Sequence, residues 1–150
     1  MTRAERFVDI NASASEIYAL AQDVAHWPDI LPHYRWVRVL RESDGSRVIE
    51  MAARRDWIPV RWTALQTLDP QTPLIRFTHL SGWTKGMEVA WTFQARGAVT
   101  RVTIVHELAS TPLRFAGTWF ERRVICDFFI QSIAGRTLAR MKELAEAHHG

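Results

Sequence analysis

One histidine of the chain lies in an apolar row at the spacing of a β-strand. Alternate residues of a strand point to opposite faces, and one face of the run 99–110 carries Val102, Ile104, His106 and Leu108. A histidine titrates near neutral pH, so it can take up and release a proton during a reaction. His106 is therefore either a proton-transfer group facing a cavity or a core histidine with a hydrogen-bond partner.

Other chemistry-bearing residues are less well defined by their surroundings. His79 ends a strand-like run and His33 follows a proline turn, and for both a structural or surface role is the simpler interpretation. The seven tryptophans are more than a core of this size needs. Because tryptophan combines a large flat apolar surface with one N–H donor, this excess favours the wall of a pocket for a flat, partly polar ligand. Each tryptophan taken singly is also compatible with an ordinary place in the core.

The bulk composition predicts a single globular domain over residues 1–150. The chain is 47% hydrophobic and 23% charged, and no apolar run approaches the roughly 20 residues of a membrane span. The net charge of +3 comes from dispersed lysines and arginines, so nucleic acid is not an expected partner. Cys126 is the only cysteine, which excludes an internal disulfide and a multi-cysteine zinc site. The first residues lack the apolar stretch of a secretory signal, so we expect a cytoplasmic protein.

Local signals predict the elements that must position these residues. Ser13 stands three residues before Glu16, a capping box at the start of a helix of about 11 residues. Pro28 and Pro32 leave room only for a short second helical turn. From about residue 34 the hydrophobic period becomes two, and the Asp-Gly pair at 44–45 predicts a tight hairpin.

A long helix is predicted to close the chain after Pro112. Its first half is apolar on nearly every side, which indicates burial against more than one surface, through a homodimer contact or a hydrophobic ligand. Six consecutive antiparallel strands, an earlier strand and one long helix predict an α+β fold. In this fold a curved seven-stranded antiparallel sheet wraps around the C-terminal helix, with two short helices after the first strand and an internal cavity.

Four segments of the chain resemble a known family. They are INASASEIYALAQDVAHWPDILPHYRWVRVL (10–40), WTALQTLDP (62–70), VTIVHEL (102–108) and IAGRTLARMKELAE (133–146). In these segments the chain resembles the START/Bet v1-like (SRPBCC) helix-grip superfamily and, within it, the bacterial polyketide aromatase/cyclases. The resemblance implies binding of a poly-β-keto chain carried by an acyl carrier protein, followed by aldol ring closure and loss of water, without a metal or an organic cofactor.

The resemblance also implies roles for individual residues. Aldol closure needs a base, donors or a cation for the enolate oxygen, and an acid for the departing hydroxyl. The histidine of the family's last strand falls on His106, and Arg61 is the expected cation. Tyr34 follows the turn LPH, which predicts its hydroxyl at the cavity mouth as the donor to a keto oxygen. The residues expected to contact substrate are Trp62, Leu65, Arg76, His79, Trp83, Trp91, Phe93, Trp119 and Cys126.

One position departs from the pattern of the relatives. Some of them have an arginine in the mid-sheet WTxR stretch, where this chain has Leu65. Arg61, Arg76 or Arg55 would then have to supply the cation from a neighbouring position. The strands that hold these arginines lack clean alternation, so the sequence does not show which of them points inward.

Two functions from different classes are compatible with this sequence. One is an aromatase/cyclase in which His106 transfers protons and an arginine stabilises the enolate. The other is a non-catalytic carrier of a hydrophobic molecule such as a lipid or a quinone, similar to the coenzyme-Q-binding relatives. An inward arginine beside His106 would favour the enzyme, and a wall without arginine would favour the carrier. A regulatory or stress protein whose apolar helix binds a partner protein is a third interpretation.

Overall fold

A computed structural model describes residues 2–55, 57–82, 84–108 and 133–147. Within these ranges the chain forms seven strands, β1 (Thr2–Ile10), β2 (Tyr34–Ser43), β3 (Ser46–Arg55), β4 (Ile58–Asp69), β5 (Leu74–His79), β6 (Glu88–Arg96) and β7 (Val99–Leu108). They form one antiparallel sheet in the order β1-β7-β6-β5-β4-β3-β2. The predicted seven-stranded antiparallel sheet is therefore confirmed.

The predicted hairpin between β2 and β3 forms at the Asp-Gly pair. Ser43 pairs with Ser46, which leaves Asp44 and Gly45 as the two turn residues. Gly45 has a φ of +73°, a conformation that glycine adopts without the steric cost of a side chain. This tight turn sets the pairing of β2 with β3 at the hairpin end, and the register then shifts between Val39 and Arg41 and again between Tyr34 and Trp36.

Three helices accompany the sheet in the described part of the chain. They are α1 (Ala14–Gln22), α2 (Trp27–Ile30) and α3 (Gly135–Ala147), with a short 3-10 turn between α1 and α2 (Val24–His26). The backbone N–H of Glu16 donates to the Ser13 hydroxyl at 3.3 Å, so the predicted helix start is confirmed. Helix α1 has 9 residues, slightly fewer than predicted. Residues 109–132, where the predicted C-terminal helix would begin, lie outside the described ranges.

Polar contacts join helix α3 to the end of β1 and to α2. The Lys142 Nζ donates to the carbonyl of Asp9 at 2.7 Å, and Glu146 accepts from the backbone N–H of Asn11 at 2.9 Å. The Arg140 Nε donates to the carbonyl of Ile30 at 3.0 Å. The buried face of the helix consists of Thr137, Leu138, Met141 and Ala145. This face lies toward the core, which confirms the expected α+β helix-grip arrangement.

Candidate functional site

A pocket lies between the inner face of the sheet, helix α2 and the beginning of α3. Its wall is aromatic and aliphatic with a few polar groups: Trp27, Tyr34, Met51, Trp62, Phe77, His79, Val89, Trp91, Ile104, His106, Ile133, Ala134 and Thr137. The free volume between these side chains is about 40 Å³. A buried water needs at least about 10–15 Å³ by the same measure, so this space holds a few waters or one small functional group.

His106 occupies the inner face of β7, as its strand phase predicts. It pairs with Val89 of β6, and its side chain is 7% exposed. Burial lowers the pKa of His106 to about 4, because the protonated ring would lose its hydration. Its Nδ1 has no hydrogen-bond partner among the described residues. At neutral pH the ring is therefore uncharged, and a histidine of the pocket wall carries one buried nitrogen that has no partner among the described residues.

His79 lies in the same wall, at the end of β5. Its Nδ1 is 2.7 Å from the hydroxyl of Thr84, and its ring stacks on Trp62 with 5.7 Å between ring centroids. Burial and, to a smaller extent, His106 lower the pKa of His79 to about 3. His79 is thus a buried neutral histidine beside His106 and not a surface group.

Tyr34 is buried in the wall, although the sequence suggested a place at the cavity mouth. Its ring centroid lies 5.1 Å from that of Trp27 and 6.2 Å from that of Trp62. Burial raises the pKa of the Tyr34 hydroxyl, because the phenolate would lose its hydration. The group therefore remains an O–H donor at every working pH.

His33 is also buried, and it contacts one residue of the pocket wall. Its Nε2 is 3.0 Å from the hydroxyl of Thr137, a residue that lines the pocket. Burial, with a smaller contribution from Arg136, lowers the pKa of His33 to about 4. On its other side His33 borders a surface recess that it shares with Pro32, Arg54 and Arg136. The His33–Thr137 hydrogen bond thus joins this recess to the pocket wall.

The structure places the expected cations away from the pocket. On β4 the side chain of Trp62 is buried, and the same strand phase puts Arg61 on the outer face, where it is exposed. Arg76 of β5 is exposed on the outer face in the same way. Leu65 is also on the outer face of β4, so an arginine at this position would not reach the pocket either. The side chain of Arg55 lies outside the described part of the structure.

The remaining expected contacts divide into three groups. Trp62 and Trp91 line the pocket. Phe93 is buried behind it, with its ring centroid 6.4 Å from that of Trp91. Trp83, Trp119 and Cys126 lie outside the described residues. Within the described lining, no lysine, arginine, aspartate or glutamate contributes to the pocket.

Trp27 is a pocket residue that the sequence reasoning did not single out. It begins α2 and is 2% exposed, and it packs against Tyr34, Trp91 and Phe77 with centroid distances of 5.1, 5.7 and 6.1 Å. Its indole Nε1 is buried and has no hydrogen-bond partner among the described residues. A buried donor of this kind costs free energy unless a ligand or a water satisfies it. The only feature of the sequence that pointed to Trp27 was its position before Pro28 in a short predicted helix.

Two other properties of the described residues bear on function. No three histidine, cysteine, aspartate or glutamate side chains in these ranges are grouped so that they could hold a metal ion. None of the helices that the structure describes has the length and apolar character needed to cross a membrane.

Two curated proteins of polyketide biosynthesis are similar to this chain. It is 27% identical over 151 aligned positions to the granaticin polyketide synthase bifunctional cyclase/dehydratase of Streptomyces virginiae, covering 96% of this chain and 48% of that protein. It is 30% identical over 103 positions to the actinorhodin polyketide synthase bifunctional cyclase/dehydratase of Streptomyces coelicolor, covering 66% of this chain and 32% of that protein. The chain thus spans half or less of the length of these relatives.

The fold is shared with a solved aromatase/cyclase. The Zhui aromatase/cyclase from Streptomyces sp. R1128 superposes with a TM-score of 0.86 over 99% of this chain and 96% of that one, at 19% identity. At the level of sequence, residues 10–129 match the family described as polyketide cyclase/dehydrase and lipid transport. That match includes the strands and the short helices that form most of the pocket wall, and it shows that the chain belongs to the polyketide cyclase/dehydrase and lipid transport family.

Proposed function

We propose that this chain binds a poly-β-keto intermediate in the described pocket and promotes its aldol cyclisation and dehydration. The observation that carries the proposal is the neutral, buried His106, which lines an aromatic pocket and whose Nδ1 has no hydrogen-bond partner among the described residues. The relatives named as cyclase/dehydratases support the same reaction class. The pocket residues then have to provide a base, a donor for the enolate oxygen and an acid.

His106 is the proposed base for enolate formation. Its neutral ring accepts a proton from the methylene between two carbonyls, and the electron pair of the broken C–H bond moves into the enolate. The Tyr34 hydroxyl, which burial keeps protonated, donates to the enolate oxygen. The enolate carbon attacks a second carbonyl, and the new alkoxide takes the proton back from His106. In the described lining of the pocket, a neutral donor thus takes the role for which the sequence led us to expect an arginine.

The same histidine is the proposed acid for loss of water. His106 removes the next α-proton and becomes an imidazolium, which then protonates the departing hydroxyl while the C–O bond breaks and a C=C bond forms. Burial makes this imidazolium a strong acid, with a pKa of about 4. It therefore returns its proton readily to a poor leaving group. The lowered pKa thus makes His106 more effective as the acid that protonates the departing hydroxyl than as the base that forms the enolate.

Substrate entry requires the pocket to widen. A free volume of about 40 Å³ is far smaller than the 300–1,000 Å³ typical of ligand pockets. We propose that the keto chain enters from the recess of Pro32, His33, Arg54 and Arg136, since a hydrogen bond joins His33 of this recess to Thr137 of the pocket wall.

Exposed arginines around that recess support an acyl carrier protein as the donor of the substrate. Arg54 and Arg136 border the recess, and Arg35 and Arg61 line a neighbouring groove on the outer face of the sheet. We call these four residues the arginine surface. None of them pairs with a carboxylate within the described ranges, unlike Arg38, which contacts Glu50 at 3.8 Å. Unpaired positive charge of this kind attracts an acidic partner and its phosphate-linked arm.

Reconstitution with a minimal polyketide synthase tests the proposed reaction. Wild type should convert the linear intermediate to a cyclised, dehydrated product, and His106→Ala should shift the profile to spontaneously formed products. His26→Ala is the matched control, because His26 is an exposed histidine on the 3-10 turn, bonded to Asp23. An unchanged product profile from a folded His106→Ala protein would refute the catalytic role.

A second candidate function is transport of a hydrophobic ligand. It is favoured by the described lining of the pocket, in which no charged side chain takes part. A native mass spectrum of the purified protein would test it directly. A co-purified lipid or quinone, together with no conversion of the keto chain, would favour transport over cyclisation.

A further inference from the structure

Two buried polar atoms of the described residues have no hydrogen-bond partner, and both belong to residues that line the same pocket. They are the Trp27 indole Nε1 and the His106 Nδ1. The side chains that carry them are 2% and 7% exposed, so bulk water does not satisfy them. Buried polar groups in proteins are nearly always hydrogen-bonded, and an exception requires an explanation. The occurrence of both exceptions in one pocket points to a ligand with two polar atoms.

The packing places the two groups beside one stretch of the wall. Trp27 packs on Trp91 of β6, with 5.7 Å between ring centroids. Trp91 pairs with Ile104 of β7, and His106 is the next inward residue of that strand. The neighbouring pair on these two strands is Val89 and His106. Trp27 thus approaches the wall from α2, while His106 belongs to the wall itself.

The two atoms have complementary chemistry. An indole N–H is only a donor. A neutral histidine with its proton on Nε2 offers Nδ1 only as an acceptor. A ligand that satisfies both must present one acceptor and one donor and must fit among apolar side chains. The enol form of a 1,3-dicarbonyl unit does so when its hydroxyl turns away from the internal hydrogen bond with the keto oxygen, because the keto oxygen then accepts from Trp27 while the enol hydroxyl donates to His106.

We propose that Trp27 and His106 together bind the enol form of one 1,3-dicarbonyl unit, with the Trp27 N–H on the keto oxygen and the His106 Nδ1 on the enol hydroxyl. This inference rests on the proposed cyclisation, which it deepens by assigning the unit of the chain that binds first. Trp27 is then a substrate-binding donor that selects the enol and holds it against the base.

Acetylacetone is a suitable probe, because it is one such unit without a carrier or a chain. In a ¹⁵N–¹H correlation spectrum, the seven tryptophans give separate indole signals, and Trp27→Phe identifies the signal of Trp27. Acetylacetone should move this signal downfield, whereas 2-pentanone, which has one carbonyl and no enol hydroxyl, should move it much less. An intact mass spectrum checks that the protein stays unmodified.

The affinity of the variants provides a second measurement. Trp27→Phe keeps an aromatic ring but removes the donor, and it should weaken acetylacetone binding about fivefold to tenfold, the effect of one neutral hydrogen bond. Trp91→Phe is the matched control, because it removes an indole from the same wall whose N–H is not among the unpartnered atoms. In this control the Trp27 signal should still move.

The outcomes separate this inference from the proposed function. Acetylacetone binding that leaves the Trp27 signal in place, or equal affinity in wild type and Trp27→Phe, overturns the inference while cyclisation by wild type still supports the function. A Trp27 signal that moves, in a protein that does not cyclise the keto chain, supports the binding inference and refutes the reaction. No binding of acetylacetone to wild type overturns the inference as well. The response of the Trp27 indole signal in the wild type tests the inference even if Trp27→Phe does not fold.

Discussion

Mild acid should destabilise this protein strongly, because three of its histidines are buried in the neutral form. His33, His79 and His106 have folded-state pKa values of about 4, 3 and 4, below the ordinary value of 6.5. The unfolded chain takes up protons at these positions below pH 6.5, whereas the folded chain does not do so until about pH 4 or lower. The free energy of unfolding therefore falls as the pH drops through this window.

Between pH 7 and pH 5, the loss in the free energy of unfolding depends almost wholly on the pKa of these histidines in the unfolded chain. With an unfolded pKa of 6.5 and folded values of about 3 and 4, His79 and His106 each lose about 2 kcal/mol over this interval. The two together amount to about 4 kcal/mol, and His33 adds to the loss in the same direction. A typical domain has only about 5–15 kcal/mol of stability in total.

Other titrating groups do not cancel this loss. Asp9, Asp69 and Glu146 have lowered pKa values, chiefly through hydrogen bonds with Arg101, Thr72 and Lys142 respectively, and their contribution disappears only near and below their ordinary pKa of about 4. The hydrogen bond with Asp23 raises the pKa of exposed His26, so its contribution has the opposite sign and is present below pH 6.5.

Urea unfolding followed by tryptophan fluorescence at pH 7, 6 and 5 measures the effect. Wild type should lose at least about 4 kcal/mol over this range. His106→Gln cannot titrate at that position, so its loss should be smaller by about 2 kcal/mol, whatever its stability at pH 7. His26→Asn is the control, and its loss should not become smaller. The same pH dependence in His106→Gln and wild type would show that His106 titrates normally in the folded protein and would refute the reasoning.

Three further predictions concern the proposed site. Arg54→Glu combined with Arg136→Glu should raise KM for a carrier-bound substrate about tenfold while leaving KM for a small soluble thioester unchanged, since rim charges act on the encounter with the partner. Tyr34→Phe should lower kcat about 100-fold by removing a donor to the enolate oxygen, whereas Tyr18→Phe, whose hydroxyl donates to the carbonyl of residue 74 outside the pocket lining, should not. Leu65→Arg should change the free energy of unfolding by less than about 0.5 kcal/mol and leave product formation unchanged, because this side chain is on the outer face.

The sequence predicted best those features that short-range patterns determine. The alternation in β7 placed His106 on the inner face, and the Asp-Gly turn and the Ser13 cap were read from a few residues each. All three depend on backbone geometry that extends over only a few neighbours. The antiparallel succession of β2 to β7 followed from the short turns between these strands, whereas the position of β1 beside β7 was seen only in the structure.

The parts of the site that the sequence did not predict depend on tertiary packing. In β4 the apolar and polar residues do not alternate. The sequence therefore did not show whether the side chain of Trp62 or that of Arg61 points to the inner face. In the structure Trp62 is buried against His79, because its large apolar ring gains more from burial than a guanidinium, which would lose its hydration. Trp27 could not be assigned, because its direction depends on how α2 packs across the sheet, and no period of the sequence encodes that packing.

The acidity of His106 connects the proposed chemistry with the stability of the fold. A histidine with a pKa of about 4 is still about nine-tenths neutral at pH 5, whereas an ordinary histidine at this pH is mostly protonated. The proposed base therefore remains competent in mild acid, while the same burial reduces the free energy of unfolding there. Any activity lost between pH 7 and pH 5 should consequently track the unfolded fraction and not a titration of the active enzyme. An initial rate measured at pH 5 within seconds of transfer from pH 7, before unfolding, should then equal the rate at pH 7, and an immediate drop would mean that His106 is protonated in the folded state.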